Sequence, residues 1–217
     1  MIMCFTVKIT ADALKLENRY KFKAQANTLQ FKGGEKLSGF AHPQLPILID
    51  GTIQLARWGL IPYWTKDREA ALSLQNQTLN ARIETIHEKA SFKKAIASQR
   101  CILPVNAFYE TQHRGKEKVP FLLHPNQDEF FHIAGIWDTW ISPQSKTTVN
   151  TFSIVTCEAN PLMAEIHNTK KRMPLLLGNN QWEDWLKPQF NIDEFIHQTL
   201  PIPDERLRSE CLVNLLF

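Results

Sequence analysis

Long apolar runs, paired cysteines, metal-ligand spacings and strong net charge are all missing from this 217-residue sequence. Without an apolar stretch approaching the roughly 20 residues that a bilayer demands, no membrane span is expected. The short N-terminal apolar run is followed by Lys8 rather than preceded by basic residues, so no secretory signal is read. Cys4, Cys101, Cys157 and Cys211 are scattered and form no C-x-x-C pair, which excludes a disulfide framework and reads as reduced thiols. His113, His124 and His132 lack ligand spacing, so no metal is expected, and no other cofactor. A net charge of +3 is too small to argue for a nucleic-acid partner by itself. Repeats and low-complexity segments are absent too. These absences leave a soluble, cytoplasmic protein, nucleoid-associated if bacterial.

What is present is an ordinary globular composition, 43% hydrophobic and 22% charged, over a length that suits one domain spanning residues 1–217. The charge is unevenly spread. Residues 80–118 carry eight Lys/Arg against four Asp/Glu, and residues 183–217 carry three against seven. A basic middle and an acidic tail suggest one face for an anionic partner, although two unrelated solvated surfaces explain the same count.

Residues 4–9 alternate as a strand. PILI and TIQLARWGLI, joined by Asp50–Gly51, read as a hairpin. Trp58-Gly-Leu-Ile-Pro-Tyr-Trp64 reads as an aromatic loop, and 65–79 as a loop with a short helix. Thr85 and Glu88 have capping-box spacing before the stripe Phe92, Ala95, Ile96. CILPVNAFYE, VPFLLH, FFHIAGIWDTW and NTFSIVT read as strands, Asn160–Pro161 as the start of a helix, and MPLLL as a last central strand. Asn180 and Glu183 are expected to cap a helix bearing Trp182 and Trp185. The pattern specifies a single-domain, β-rich α+β fold: a twisted antiparallel sheet or open barrel with flanking helices.

Glu110 is the sharpest chemical signal, because a carboxylate in an apolar strand is costly to bury unless it is paired or has a task. Cys4, Asn80, Arg82, His167 and the Trp58/Trp64 pair are further candidates. For each of them a bland role, as core or solvated surface, competes with the functional one. Lys170-Lys171-Arg172 reads on its own as a solvated basic run.

In combination, Met3–Cys4, WGLIPYW, LNARIET, CILPVNAFYE, FHIAGIWDTW and ANPLMAEIHNTKKRMP occur in an order and at intervals that closely resemble the SRAP family, the SOS response-associated peptidases. The resemblance covers about residues 3–178, and the acidic tail 179–217 adds little. It implies a covalent sensor of abasic sites in single-stranded DNA, acting as a monomer. The cysteine left at the N-terminus after removal of preceding residues would form a thiazolidine with the ring-opened sugar, using an α-amine and a thiol whose pKa values lie near ~8 and ~8.5. It further implies Cys4 as nucleophile, Asn80 orienting the sugar, and Glu110 and His167 as acid–base groups. Arg82, Lys170, Lys171 and Arg172 would hold phosphates, and Trp58 and Trp64 would stack on bases. The same Cys, Glu and His group would remove residues 1–3, the peptidase of the family name. The sequence departs from the family pattern at Phe5–Thr6, where Gly–Arg is usual, and in the five-residue step from His167 to Arg172. Two other readings compete: a non-covalent single-strand binder whose Cys4 stays blocked, and a general thiol peptidase acting on other proteins.

Overall fold

Pairing of the alternating segments builds two sheets that hand the chain back and forth. The computed structural model describes residues 5–178, 180–188, 191–200 and 202–212. Its first part supplies β1 (Thr6–Ile9), α1 (Ala13–Tyr20), β2 (Lys23–Ala24), β3 (Gly34–Ser38), β4 (Gln44–Ile49) and β5 (Thr52–Trp58). Then come α2 (Arg68–Gln77), β6 (Asn80–Arg82), α3 (Lys93–Ser98), β7 (Arg100–Val105), β8 (Ala107–Arg114), β9 (Glu117–Pro125) and β10 (Phe131–Ile141). The last part holds β11 (Thr148–Glu158), α4 (Pro161–Ile166), β12 (Arg172–Pro174), β13 (Leu176–Leu177), α5 (Gln181–Leu186), α6 (Ile192–Thr199) and β14 (Leu207–Cys211).

The larger sheet runs β12–β11–β10–β7–β4–β5–β2, and the smaller runs β14–β9–β8–β1–β3. In the larger one β5 also pairs in parallel with β11, setting Arg57 opposite Thr151 and Trp58 opposite Phe152. That contact closes β11, β10, β7, β4 and β5 into a ring, which removes the exposed edges an open sheet would carry. The β-rich α+β architecture read from the sequence is therefore the one that forms, with the barrel closed rather than open. The Asp50–Gly51 turn joins β4 to β5 as expected, Gly51 taking a φ of 70°. Asn160 caps α4, its Oδ1 accepting the Met163 N–H at 2.9 Å, with Pro161 in the first turn.

Four local expectations are corrected. CILPVNAFYE is not one strand: the chain turns at Asn106, leaving the barrel in β7 and entering the smaller sheet in β8. The Asn106 side chain makes this corner, accepting the Thr10 N–H at 2.7 Å and donating to the Glu129 carbonyl at 3.3 Å. The Thr85–Glu88 pair closes a turn, Glu88 N–H donating to Thr85 O at 3.1 Å, and α3 starts later, after Phe92, with no side-chain cap. Asn180 likewise gives α5 no side-chain cap. MPLLL splits around Leu175 into β12 on β11 and β13 on β10.

One buried side chain ties the later elements to the barrel. Arg100, at the start of β7, donates Nε to Trp185 O at 2.7 Å and Nη1 to Ile96 O and Ala97 O at 2.8 and 2.9 Å. The last carbonyls of α3 and α5, unsatisfied within their own helices, thus converge on one guanidinium. Among the described residues no helix is long and apolar enough to cross a membrane.

Candidate functional site

Glu110 lies in the middle of β8 rather than at a strand end, opposite Phe121 of β9. Strand alternation puts it on the same face as Phe108 and Gln112, which are also buried. Glu110 is 3% exposed and His167 1%. The two carboxyl oxygens have different fates. Oε1 accepts the Thr111 N–H at 3.0 Å, whereas Oε2 has no hydrogen-bond partner among the described residues and lies 3.8 Å from His167 Nδ1. Burial raises the Glu110 pKa above the usual carboxylate range, against the opposing pull of His167 and the Thr111 N–H.

His167 is placed by the five-residue step that leads to Arg172. The step lets the chain fold back: Lys171 N–H donates to His167 O at 2.9 Å, and Lys171 adopts a φ of 51°. The Arg172 carbonyl then lies 2.8 Å from His167 Nδ1. A carbonyl only accepts, so Nδ1 carries a proton and the lone pair of the neutral ring sits on Nε2. Asn168 fastens this turn to β8, accepting the His113 N–H at 3.1 Å and donating to His113 O at 2.8 Å. Gln112 adds a bond to Glu165 O at 3.0 Å. Nothing in the sequence marked Asn168, whose partners lie on a distant strand.

Asn80 opens β6, which pairs with β11 at Ile154. Both polar atoms of its side chain are buried and without hydrogen-bond partners among the described residues. Orphan atoms of this kind are uncommon in folded proteins and are expected where a ligand completes them. Arg82, two residues on and on the same face, is exposed.

Two expected DNA contacts are corrected. Trp58 is fully buried; its Nε1 donates to Leu79 O at 2.9 Å and its ring stacks on Phe152 at 6.0 Å between centroids. It belongs to the inner face of β5, not to the loop, and cannot stack on a base. Arg172 is also buried, forking onto Glu84 at 2.7 and 2.9 Å and donating to Thr156 O at 2.9 Å. Burial acts to raise the Glu84 carboxyl, but the Arg172 fork and its own N–H hold it below the usual range. Arg172 is thus committed to Glu84 and, through its carbonyl, to His167, and is not available to a phosphate. Lys170 and Lys171 are exposed. Cys4 lies outside the described residues; β1 begins two residues later at Thr6, opposite Tyr109.

The loop that follows Trp58 presents Trp64, 45% exposed, and its neighbour Tyr63, 53% exposed. Gly59 starts the loop at a φ of 105°, where a Cβ would lie 2.5 Å from Gln75. Three bonds at alternate residues pin it: Ile61 N–H to Thr151 Oγ1 at 2.8 Å, Tyr63 N–H to Asp138 Oδ2 at 2.9 Å, and Trp140 Nε1–H to Thr65 O at 2.8 Å. Lys94 Nζ stands 3.6 Å over the Tyr63 ring. Asp138, 3% exposed within FHIAGIWDTW, carries the same signal that marked Glu110, a carboxylate in an apolar strand. Asp138→Ala should cost about 1–3 kcal/mol, because it leaves the Tyr63 N–H and the Gln99 amide short of an acceptor. Denaturant titration measures that loss, and fast amide exchange at Tyr63 in the variant locates it in the loop.

Among the described residues, no cluster of three or more His, Cys, Asp or Glu is arranged to hold a metal ion.

This is a mixed α/β protein with a closed barrel, a second sheet, and a buried carboxylate–imidazole pair at the join of β8 and α4. The same fold is found in an X-ray structure of a Bacteroides thetaiotaomicron protein, with a TM-score of 0.92, 32% identity, and 97% of this chain and 93% of that one covered. A Bordetella bronchiseptica protein shares it at a TM-score of 0.81 and 24% identity, covering 97% and 100%. The family model described as SOS response associated peptidase (SRAP) matches residues 3–212, and the chain belongs to that family. Among its relatives is the abasic site processing protein YoqW of Bacillus subtilis, 34% identical over 178 residues that cover 78% of this chain and 76% of that protein. The abasic site processing protein HMCES of Gallus gallus is 32% identical over 150 residues, covering 60% and 44%.

Proposed function

We propose that this protein captures abasic sites in single-stranded DNA as a covalent cross-link through Cys4. The observation that carries the reading is the Oε2 of buried Glu110, which faces His167 and has no hydrogen-bond partner among the described residues, in a family whose curated relatives are named as abasic site processing proteins. Removal of Met1–Met3 frees the Cys4 α-amine. That amine adds to the sugar aldehyde and loses water to give an imine. The Cys4 thiol then gives up its proton and its sulfur bonds to the carbon of the protonated imine, whose nitrogen keeps its hydrogen, closing a five-membered thiazolidine. Ring closure within one bound residue carries a large proximity advantage over attack by a separate thiol.

Glu110 is the proton carrier of these steps. Burial favours its protonated form, and in that form it protonates the departing hydroxyl and then accepts the thiol proton. His167, with its lone pair on Nε2, is the second acid–base group. Asn80 offers a buried acceptor and donor to the ring-opened sugar. The same thiol attacks the Met3 carbonyl carbon, and the acyl group passes from the Cys4 nitrogen to sulfur as the nitrogen takes up the thiol proton. Water then hydrolyses the thioester with Glu110 and His167 as acid–base groups, a single intramolecular event rather than turnover of other proteins. Arg82, Lys170 and Lys171 hold phosphates, and Trp64 with Tyr63 stacks on a base beside the lesion. The protein acts as a monomer in the cytoplasm.

Incubation of purified protein with an oligonucleotide containing one abasic site should yield a heat- and detergent-stable shifted band, absent with an intact oligonucleotide. Mass spectrometry should show a mature chain starting at Cys4 and a cross-link mass lower by one water than the two components together. A chain that starts at Cys4 yet gives no stable band overturns the proposal.

A further inference from the structure

We propose that a trough along the base of the Tyr63–Trp64 loop carries a further stretch of the DNA strand, its phosphates held by Arg57 and Arg68. The inference rests on the single-stranded DNA reading above and extends the footprint to two arginines that lie outside the motifs carrying the resemblance.

Two abutting clefts, of about 210 and about 260 Å³, share Arg57, Thr147 and Val149 as a common wall. The first is bounded by Ile61, which precedes the aromatic loop, by Arg68, which follows it, and by Trp140, whose indole bonds to Thr65. Its floor is apolar, with Leu72 half exposed, while Ser142, Ser145 and Thr147 add hydroxyls to one side.

Like the exposed Arg82 and Arg208, these two guanidiniums have no side-chain partner among the described residues, whereas other arginines do. Arg19 is paired with Asp128, Arg172 with Glu84, and Arg114 and Arg206 bond to glutamine side chains. Arg57 and Arg68 make no ion pair and no side-chain hydrogen bond with any other described residue, and Arg57 is already half buried. A partly desolvated guanidinium with all its donors unused is suited to a phosphate, which it can bind through two parallel bonds. The neighbouring carboxylate of Asp67 is turned away, its Oδ1 accepting the Ala70 N–H at 2.8 Å as the cap of α2.

The ligand class follows from the alternation of cation and apolar wall along an elongated trough, which matches a polynucleotide better than a compact anion. Position agrees with this. Ile61 precedes the aromatic loop and Arg68 follows it, and both line the cleft. A strand with one base stacked on Trp64 would therefore continue into the trough.

The test is a salt titration of affinity for a short oligonucleotide, only long enough to reach Trp64, and for a long one, using wild type, R57A/R68A, R57K/R68K and R68A alone. Each phosphate contact on a single strand contributes about 0.7 to the slope of log affinity against log salt. With the long strand, R57A/R68A should lose about 1.4 of slope and R68A about 0.7. R57K/R68K should keep the wild-type slope, and the short strand should not distinguish the variants. The exposed R68A substitution keeps the test valid if the double alanine variant does not fold. Equal slopes for wild type and the alanine variants on the long strand overturn the inference. So does saturable binding of dAMP alone that R57A/R68A abolishes without changing the strand slope, since the trough would then be a mononucleotide site. A wild type that binds neither oligonucleotide overturns the single-stranded DNA reading itself.

Discussion

Glu110→Gln should leave the protein folded and able to bind DNA, yet slow cross-link formation by roughly 10²–10⁴-fold, the range typical for loss of a positioned acid–base group. Glutamine matches the carboxyl in shape and keeps an oxygen for the Thr111 N–H that Oε1 now accepts. What it cannot do is release and recover a proton. Single-turnover kinetics at saturating abasic DNA measures the loss. Unchanged kinetics combined with weaker DNA binding would make Glu110 a structural residue. A second readout tests the electrostatics. Because burial raises the Glu110 pKa in the folded state, the folded protein keeps a proton that the unfolded chain releases above the ordinary value near ~4.3. The folded state therefore binds more protons in that window, and the contribution of Glu110 to stability falls as pH rises through it. Glu110→Gln lacks this decline, so its stability relative to wild type should improve between about pH 4 and the raised folded value. Denaturant titrations of both proteins at several pH values give the difference directly.

Cys4→Ala should abolish the covalent product altogether, with no residual slow band. Only an N-terminal cysteine offers an amine and a thiol on adjacent carbons, and only that pair closes the five-membered ring. The other cysteines cannot replace it. Cys101 and Cys157 are buried, which raises both thiols, Cys157 to about 12, so neither is a thiolate near neutral pH. Cys211 is exposed on β14, but its nitrogen is a peptide amide. Cys211→Ser should therefore cross-link at the wild-type rate. A heat-stable band from Cys4→Ala would remove Cys4 from the chemistry, and its loss in Cys211→Ser would point to a different nucleophile.

Local chemistry was readable from the sequence where its cause was local. Glu110 stood out because its neighbours are apolar, and it is buried as that context requires. Asp138 has the same context, but in FHIAGIWDTW nothing nearby hints at the Tyr63 N–H it holds. The hairpin at Gly51 and the cap at Asn160 depend on a few adjacent residues and formed as read. Misreadings arose where a distant partner decides. Arg172 looked like the third member of a basic surface run, but its carboxylate partner Glu84 is 88 residues away. Asn106 looked like one more strand residue, because the backbone it turns against, at Thr10, is 96 residues away. Trp58 was grouped with Trp64 by proximity in sequence, although the strand parity of β5 sends its ring inward and leaves Trp64 outside. The parallel contact of β5 with β11 leaves no periodic trace in either segment, so the closure of the barrel was not readable at all.

That closing contact has a consequence for the order of events during synthesis. Arg57 meets Thr151, and Asn80 meets Ile154, only once β11 exists. A nascent chain emerging from the ribosome can form the β4–β5 hairpin early, and then the hairpins of β8 with β9. It holds Cys4, Asn80 and Glu110 long before it holds β11 and the turn that carries His167. Non-local closure of this kind comes late, because the loop entropy must be met before the pairing rewards it. Glu110 and His167 therefore come together only after most of the protein has been made.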